Sequence, residues 1–142
     1  MTMDEPRWLN LRFVEAVHAR QLAEHGGTNG LRDRAGLESA LARPRQLFAY
    51  VGANVDMHSL AAAYAFGMAR NYPFVDGNKR TAYVACRTFL VLNRHDIVGP
   101  LTERYPIFLA LAAGEIDEDE LTEWLRARVR SDQVSEPAAT YR

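Results

Sequence analysis

Cysteine is nearly absent from this 142-residue chain, Cys86 being the only one. A lone thiol forms no internal disulfide, which points to a reducing compartment such as the cytoplasm. Flanked by Val84, Ala85 and Phe89, Cys86 reads as buried filler rather than nucleophile. No apolar run approaches the roughly 20 residues that a membrane-spanning helix needs. The first residues, with Asp4, Glu5 and Arg7, lack the apolar stretch of a signal peptide. A basic surplus is missing too. Seventeen Lys and Arg against 18 Asp and Glu leave a formal net charge of −1, whereas a general nucleic-acid binder carries excess positive charge. Cys and His do not cluster at the spacings that hold zinc, and no internal repeat is visible. What remains is 48% hydrophobic and 25% charged, an ordinary composition for one domain with a sizeable core.

Apolar periodicity divides the chain into helices. A first amphipathic helix is predicted over 8–25, with Leu9, Phe13 and Val17 on its apolar face, and the glycines of 26–30 end it. A short helix follows, capped by Asp33 and running through Arg43, with Pro44 beyond its end. Residues 45–56 are irregular. Helices over 57–70 and 78–94 come next, then a brief extended stretch at 96–98. Thr102 can cap a helix over 103–113 with Pro106 in its first turn, and Gly114 stops it. Asp117 and Glu120 have capping-box spacing and open a last helix with Leu121, Trp124, Leu125 and Val129 facing inward. The polar segment from Ser131 onward reads as a frayed tail. The expected architecture is a compact all-α bundle, with one domain over 1–130 and a flexible tail over 131–142.

The chemistry gathers in one decapeptide, Asn71-Tyr72-Pro73-Phe74-Val75-Asp76-Gly77-Asn78-Lys79-Arg80. Pro73 blocks helix continuation and Gly77 allows a tight turn, so this is a loop closed by a new helix N-terminus near Asn78. Unpaired N–H groups and the positive end of a helix dipole collect there. Two cations in a first turn oppose that dipole by up to roughly 1 kcal/mol each. Bound phosphate removes the conflict, with Arg80 as a bidentate clamp and Lys79 as a point charge. Asp76 can hold a Mg²⁺ that bridges the phosphates. The plainer alternatives are that Asp76 or Asn78 merely caps the helix and that Lys79 and Arg80 form a solvated face. Phe74 reads as the anchor of the loop and Tyr83 as core.

Pro73 through Arg80 closely resembles the core motif of the Fic/Doc family, His-Pro-Phe-x-(Asp/Glu)-Gly-Asn-(Gly/Lys)-Arg, at every specified position after the first. Lys79 with Thr81-Ala82 is similar to the Doc (death-on-curing toxin) branch. So is the upstream stretch Leu31-Arg32-Asp33, Gly36-Leu37-Glu38-Ser39-Ala40-Leu41 and Arg43-Pro44. The resemblance implies a Fic-fold helical bundle with a small β-hairpin flap before the motif, placed here at 45–55. It also implies transfer of a group from ATP, with Mg²⁺, to a protein hydroxyl. In the Doc branch that is phosphorylation of a threonine on elongation factor Tu, which stalls translation; in the Fic branch it is AMP transfer. Lys79, where Fic members carry Gly, favours the phosphoryl group. By the same resemblance Tyr72, Asp76 and Arg80 occupy catalytic positions, Asp76 that of the metal ligand. Gly77, Asn78, Lys79 and Arg80 line the nucleotide site.

One position departs from the motif. Tyr72 stands where the family has its catalytic histidine. An imidazole titrating near 6.5 can take a proton from a hydroxyl at neutral pH, whereas a phenol titrating near 10 is already protonated there. Tyr72 therefore reads as an inactivating replacement, natural or introduced, with a tyrosine base as the alternative. His18, His25, His58 and His95 lie on or beside other helices and take no part in this reading. A non-catalytic helical module that only binds nucleotide or protein is the rival from another class. No Glu is followed by Gly or Asn, so the family's inhibitory helix pattern is missing, and control is expected from a separate antitoxin. The partners expected are thus an antitoxin and a protein target, with no nucleic acid or membrane.

Overall fold

The computed structural model describes residues 4–52 and 54–131. They form six helices: α1 (Leu11–His25), α2 (Arg34–Val51), α3 (Met57–Asn71), α4 (Asn78–Leu92), α5 (Leu101–Ala112) and α6 (Glu118–Arg128). Two three-residue strands, β1 (His95–Ile97) and β2 (Val129–Ser131), complete the all-α bundle. None of these helices is long and apolar enough to cross a membrane.

Helix α3 is the centre. Leu60, Ala61, Ala62, Ala63, Tyr64, Ala65, Met68 and Ala69 are all fully enclosed, and such short side chains let neighbouring helices approach closely. The tightest approach is at Gly67, where an added Cβ would lie 2.9 Å from both Cα and Cβ of Ala40 on α2. Tyr64 is the one large polar side chain of this helix in the core. Its hydroxyl accepts a hydrogen bond from the Leu9 N–H at 3.0 Å, and burial pushes its pKa up to about 12. Cys86, expected as filler, is wholly buried, and burial pushes its thiol up as well.

Most helix starts follow their caps. Asn10, Asp33 and Asp56 accept from the N–H groups of Phe13, Gly36 and Ser59. The Asp117–Glu120 capping box is complete in both directions, at 2.8 and 2.9 Å. α1 begins at Leu11 rather than Trp8, and it buries Val14 and His18 while Phe13 is exposed. α5 begins at Leu101 behind Pro100, so Pro106 lies inside the helix and not in its first turn.

α2 departs furthest from expectation. Instead of stopping at Arg43 it continues through a buried Pro44 to Val51. An interior proline forfeits one helix hydrogen bond and costs ~3 kcal/mol or more. The cost is offset because Leu37, Ala40, Leu41 and Pro44 all bury on the same side of the helix. Residues 45–51 are consequently helical, and the β-hairpin flap placed at 45–55 is not there. The small sheet lies elsewhere, with β1 antiparallel to β2 in the register His95↔Ser131, Asp96↔Arg130 and Ile97↔Val129. Ser131, expected to open the tail, is thus a strand residue; positions 132–142 lie outside the described residues.

Candidate active site

The loop between α3 and α4 is held from three sides. α3 ends at Tyr72, a non-glycine residue in the left-handed region at φ 48° and ψ 54°. Arg32 stabilises that end, its Nε donating to the Tyr72 carbonyl at 2.6 Å and its Nη2 to the Asn71 carbonyl at 2.8 Å. The backbone N–H groups of Arg32 and Asp33 both donate to the Pro73 carbonyl, and Val75 N–H donates to the Gly30 carbonyl at 3.0 Å. Leu31 and Phe74 form an isolated antiparallel bridge. The 30–33 segment and the loop therefore behave as a short strand pair.

Phe74 is 3% exposed and anchors the loop as expected. Asn78, expected to cap the helix or hold phosphate, does not cap α4 in this structure. Its Oδ1 accepts from the Phe74 N–H at 2.9 Å and its Nδ2 donates to the Phe74 carbonyl at 2.8 Å. Both ends of the amide are thereby committed to the loop backbone. The N-cap of α4 is instead Gly77, left-handed at φ 79°, and no side chain caps this helix. The first N–H groups of α4 are left for a ligand or water.

Around that terminus the structure opens a cleft of about 380 Å³, lined by Tyr72, Asp76, Gly77, Asn78, Lys79 and Arg80 together with Tyr105 and Leu109 of α5. Every residue singled out in the motif reaches it. Among the described residues neither Lys79 nor Arg80 forms an ion pair. Across the cleft, burial raises the pKa of the Tyr105 phenol while the charge of Arg80 pulls the other way.

Asp76 is exposed beside these cations. Its Oδ2 accepts from the Thr28 N–H at 3.2 Å and its Oδ1 from the Gly77 N–H at 3.0 Å. A carboxylate has about four acceptor positions, so both oxygens keep capacity for a cation. No group of three or more His, Cys, Asp or Glu side chains gathers among the described residues. The donor set suits Mg²⁺, which is commonly bound through one or two carboxylates, substrate phosphates and water.

Tyr72 is 44% exposed at the mouth of the cleft. Its hydroxyl lies 3.4 Å from the Ala112 carbonyl at the end of α5, a long and weak contact for an O–H donor. The phenol thus leans toward α5. Tyr83 is buried, its hydroxyl accepting from Arg104 at 3.2 Å, which makes it core as expected.

Four contributors were not assigned from the sequence: Arg32, His18, Tyr105 and Leu109. Arg32 sits in the upstream segment that resembles the family, and its spacing gives no hint of a role 40 residues downstream. His18 shares a face with Leu11 and Val14 at helical spacing. That face is the signal that would have found it, had Phe13 and Val17 not been taken as the apolar side.

Comparison with known proteins agrees with this architecture. The model of the Fic/DOC family matches residues 8–90, more than half of the chain. The protein named Toxin Doc of Mycolicibacterium smegmatis is 44% identical over 68 residues, 48% of this chain and about half (52%) of that relative's length. Protein kinase doc of Escherichia phage P1 is 29% identical over 111 residues, 78% of this chain and 86% of the relative. The match runs from just before α1 through most of α4 and takes in the whole loop between α3 and α4, so this chain belongs to the Fic/DOC family.

Proposed function

We propose that the protein is a Doc-like toxin of a toxin–antitoxin module, built to transfer a phosphoryl group from ATP to a protein hydroxyl, and that Tyr72 keeps this copy inactive. One observation carries the reading: an uncapped helix N-terminus, two cations without ion-pair partners among the described residues and an exposed carboxylate share one cleft. The names of the two relatives, a toxin and a protein kinase, support it. Elongation factor Tu, through a threonine, is the target that the family resemblance implies.

In this scheme the first N–H groups of α4 and the Arg80 guanidinium hold the phosphates, and Lys79 adds a point charge. Asp76 would hold Mg²⁺, which offsets phosphate charge when bound. The attacking hydroxyl oxygen forms a bond to the γ-phosphorus, the bond to the β–γ bridging oxygen breaks, and ADP leaves. The hydroxyl proton needs an acceptor at position 72. A neutral phenol there is a poor one, and Tyr72 lines the cleft that the target would use. Control falls to a separate antitoxin docking beside the motif loop.

The same position supports a second reading, in which the protein only binds nucleotide and partner. Calorimetry and labelling separate the two. The protein should bind Mg²⁺-ATP, more weakly after Asp76→Ala and barely at all after Arg80→Ala. Tyr72→His should stop growth when expressed without an antitoxin and label elongation factor Tu from γ-labelled ATP, general-base assistance being worth ~10²–10⁴ in rate. Label from the α position would indicate AMP transfer instead. A harmless Tyr72→His variant that labels nothing in a lysate would leave the binding-only reading standing.

A further inference from the structure

One buried imidazole stands against the loop without a part in the reaction above. His18, on α1, is 4% exposed. Its ring stacks on Phe74 with centroids 3.7 Å apart and planes 7° from parallel. Its Nε2 is 2.7 Å from the Asp76 carbonyl oxygen. A carbonyl oxygen can only accept, so Nε2 carries the proton. Among the described residues this is the single donor to that carbonyl. The imidazole also lies beneath the turn, since a Cβ at Gly77 would be 3.5 Å from its Cδ2 and Nε2.

The Asp76 carboxylate also restrains this turn, accepting from the Thr28 and Gly77 N–H groups, but the remaining loop restraints act elsewhere. Arg32, Asp33, Gly30 and Asn78 bond the backbone of residues 71–75. The Asp76–Gly77 peptide links that strand-like part to α4. Its rotation sets the angle between the Asp76 carboxylate and the open N–H groups of the helix.

We infer that His18 is a positioning residue for the anion site, fixing the Asp76–Gly77 peptide so that carboxylate and helix terminus face one phosphate–Mg²⁺ ligand. This rests on the phosphate reading of the cleft. Groups that orient a metal-binding ligand from behind commonly change affinity by about 10- to 100-fold when removed.

Two substitutions divide the contributions. His18→Phe keeps an aromatic ring on Phe74 and loses the donor; His18→Gln keeps a donor of similar reach and loses the ring. Each is read by calorimetry with Mg²⁺-ATP, by amide hydrogen exchange at Gly77, Asn78 and Lys79 without ligand, and by thermal unfolding. His18→Phe should weaken Mg²⁺-ATP by about 10- to 100-fold and speed exchange at those three amides, while His18→Gln stays close to the starting protein in both. Equal losses in the two variants, or none in His18→Phe, would overturn the inference. If the starting protein itself gives no heat with Mg²⁺-ATP, the phosphate reading falls, and the exchange rates alone decide on His18. Should His18→Phe fail to fold, ring ¹⁵N shifts of the unaltered protein decide: a bare Nε2 with the proton on Nδ1 overturns it.

Discussion

Residue 72 is held in a left-handed conformation that costs an L-residue roughly 1–2 kcal/mol, and Arg32 offsets part of this with two hydrogen bonds to the end of α3. Because these bonds go to backbone carbonyls, they do not depend on the side chain at 72. A histidine placed there would inherit the same backbone and the same aim into the cleft. Gly77 tests the conformational requirement directly. A Cβ there has ordinary room, 3.4 Å from Leu22 Cδ2, so only the φ of 79° opposes Gly77→Ala. We expect that change to lower stability by roughly 1–2 kcal/mol, read as a lower urea midpoint; an unchanged midpoint would show that the turn relaxes without cost. The candidate site residues were legible because they are nearly contiguous, and a loop between two helices brings Tyr72 and Asp76 to Arg80 to one cleft. The capping alternative for Asn78 failed because sequence cannot show that its amide closes on Phe74, four residues back. His18 and Arg32 were missed because their partners lie 58 and 40 residues away.

Helix starts were legible at Asp33 and at the Asp117–Glu120 capping box, whereas the Asn10 cap of α1 was passed over. Boundaries were lost where tertiary packing overrides a local signal, and Pro44 is the plainest case. The α2–α3 contact that carries α2 through this proline is tight enough to exclude a methyl group. In Gly67→Ala the new Cβ would meet the Ala40 Cα at 2.9 Å, and a backbone atom cannot swing aside. Replacing glycine by alanine inside a helix gains about 0.5–1 kcal/mol, whereas overpacking costs about 1–3 kcal/mol. The clash should win, and the thermal midpoint should fall. A higher midpoint would mean that α2 and α3 slide apart freely. The flap expected at 45–55 failed for the same reason as the early stop at Arg43, since its residues continue the helix that packs on α3.

Charge ties distant parts of the bundle together around Asp56. It accepts from Ser59 at the start of α3 and from Arg126 of α6 at 3.0 and 2.7 Å. Burial raises its pKa, but the hydrogen bonds from Ser59 and the Arg126 guanidinium outweigh that and hold it at about 2, below its ordinary 3.8. A carboxylate lowered on folding stabilises the fold above its unfolded value, and the contribution is lost as pH falls from about 4 toward 2. Asp96 is lowered in the same direction, against its own burial, by Arg87. His58 is lowered mainly by burial, against the pull of Asp56; its contribution is present above about pH 6.5 and fades below. Stability should therefore decline gently below about pH 6.5 and steeply between 4 and 2. Asp56→Asn should flatten the steep part and cost about 1 kcal/mol at pH 7, a figure reduced for screening because the side chain is 36% exposed. Denaturant midpoints across that range check both, and a curve unchanged by Asp56→Asn would contradict them. At this scale the order of the chain also matters, because most of the groups that shape the motif loop from outside it, His18, Thr28, Gly30, Arg32 and Asp33, precede it. Synthesis delivers them first, and the loop meets its scaffold as it emerges. Tyr105, which opens the far wall of the cleft, follows Arg80 by 25 residues, a delay of roughly 1–5 s at ordinary elongation rates of ~5–20 residues per second. On the ribosome, the loop and the groups that hold it are thus made before the wall on the far side of the cleft.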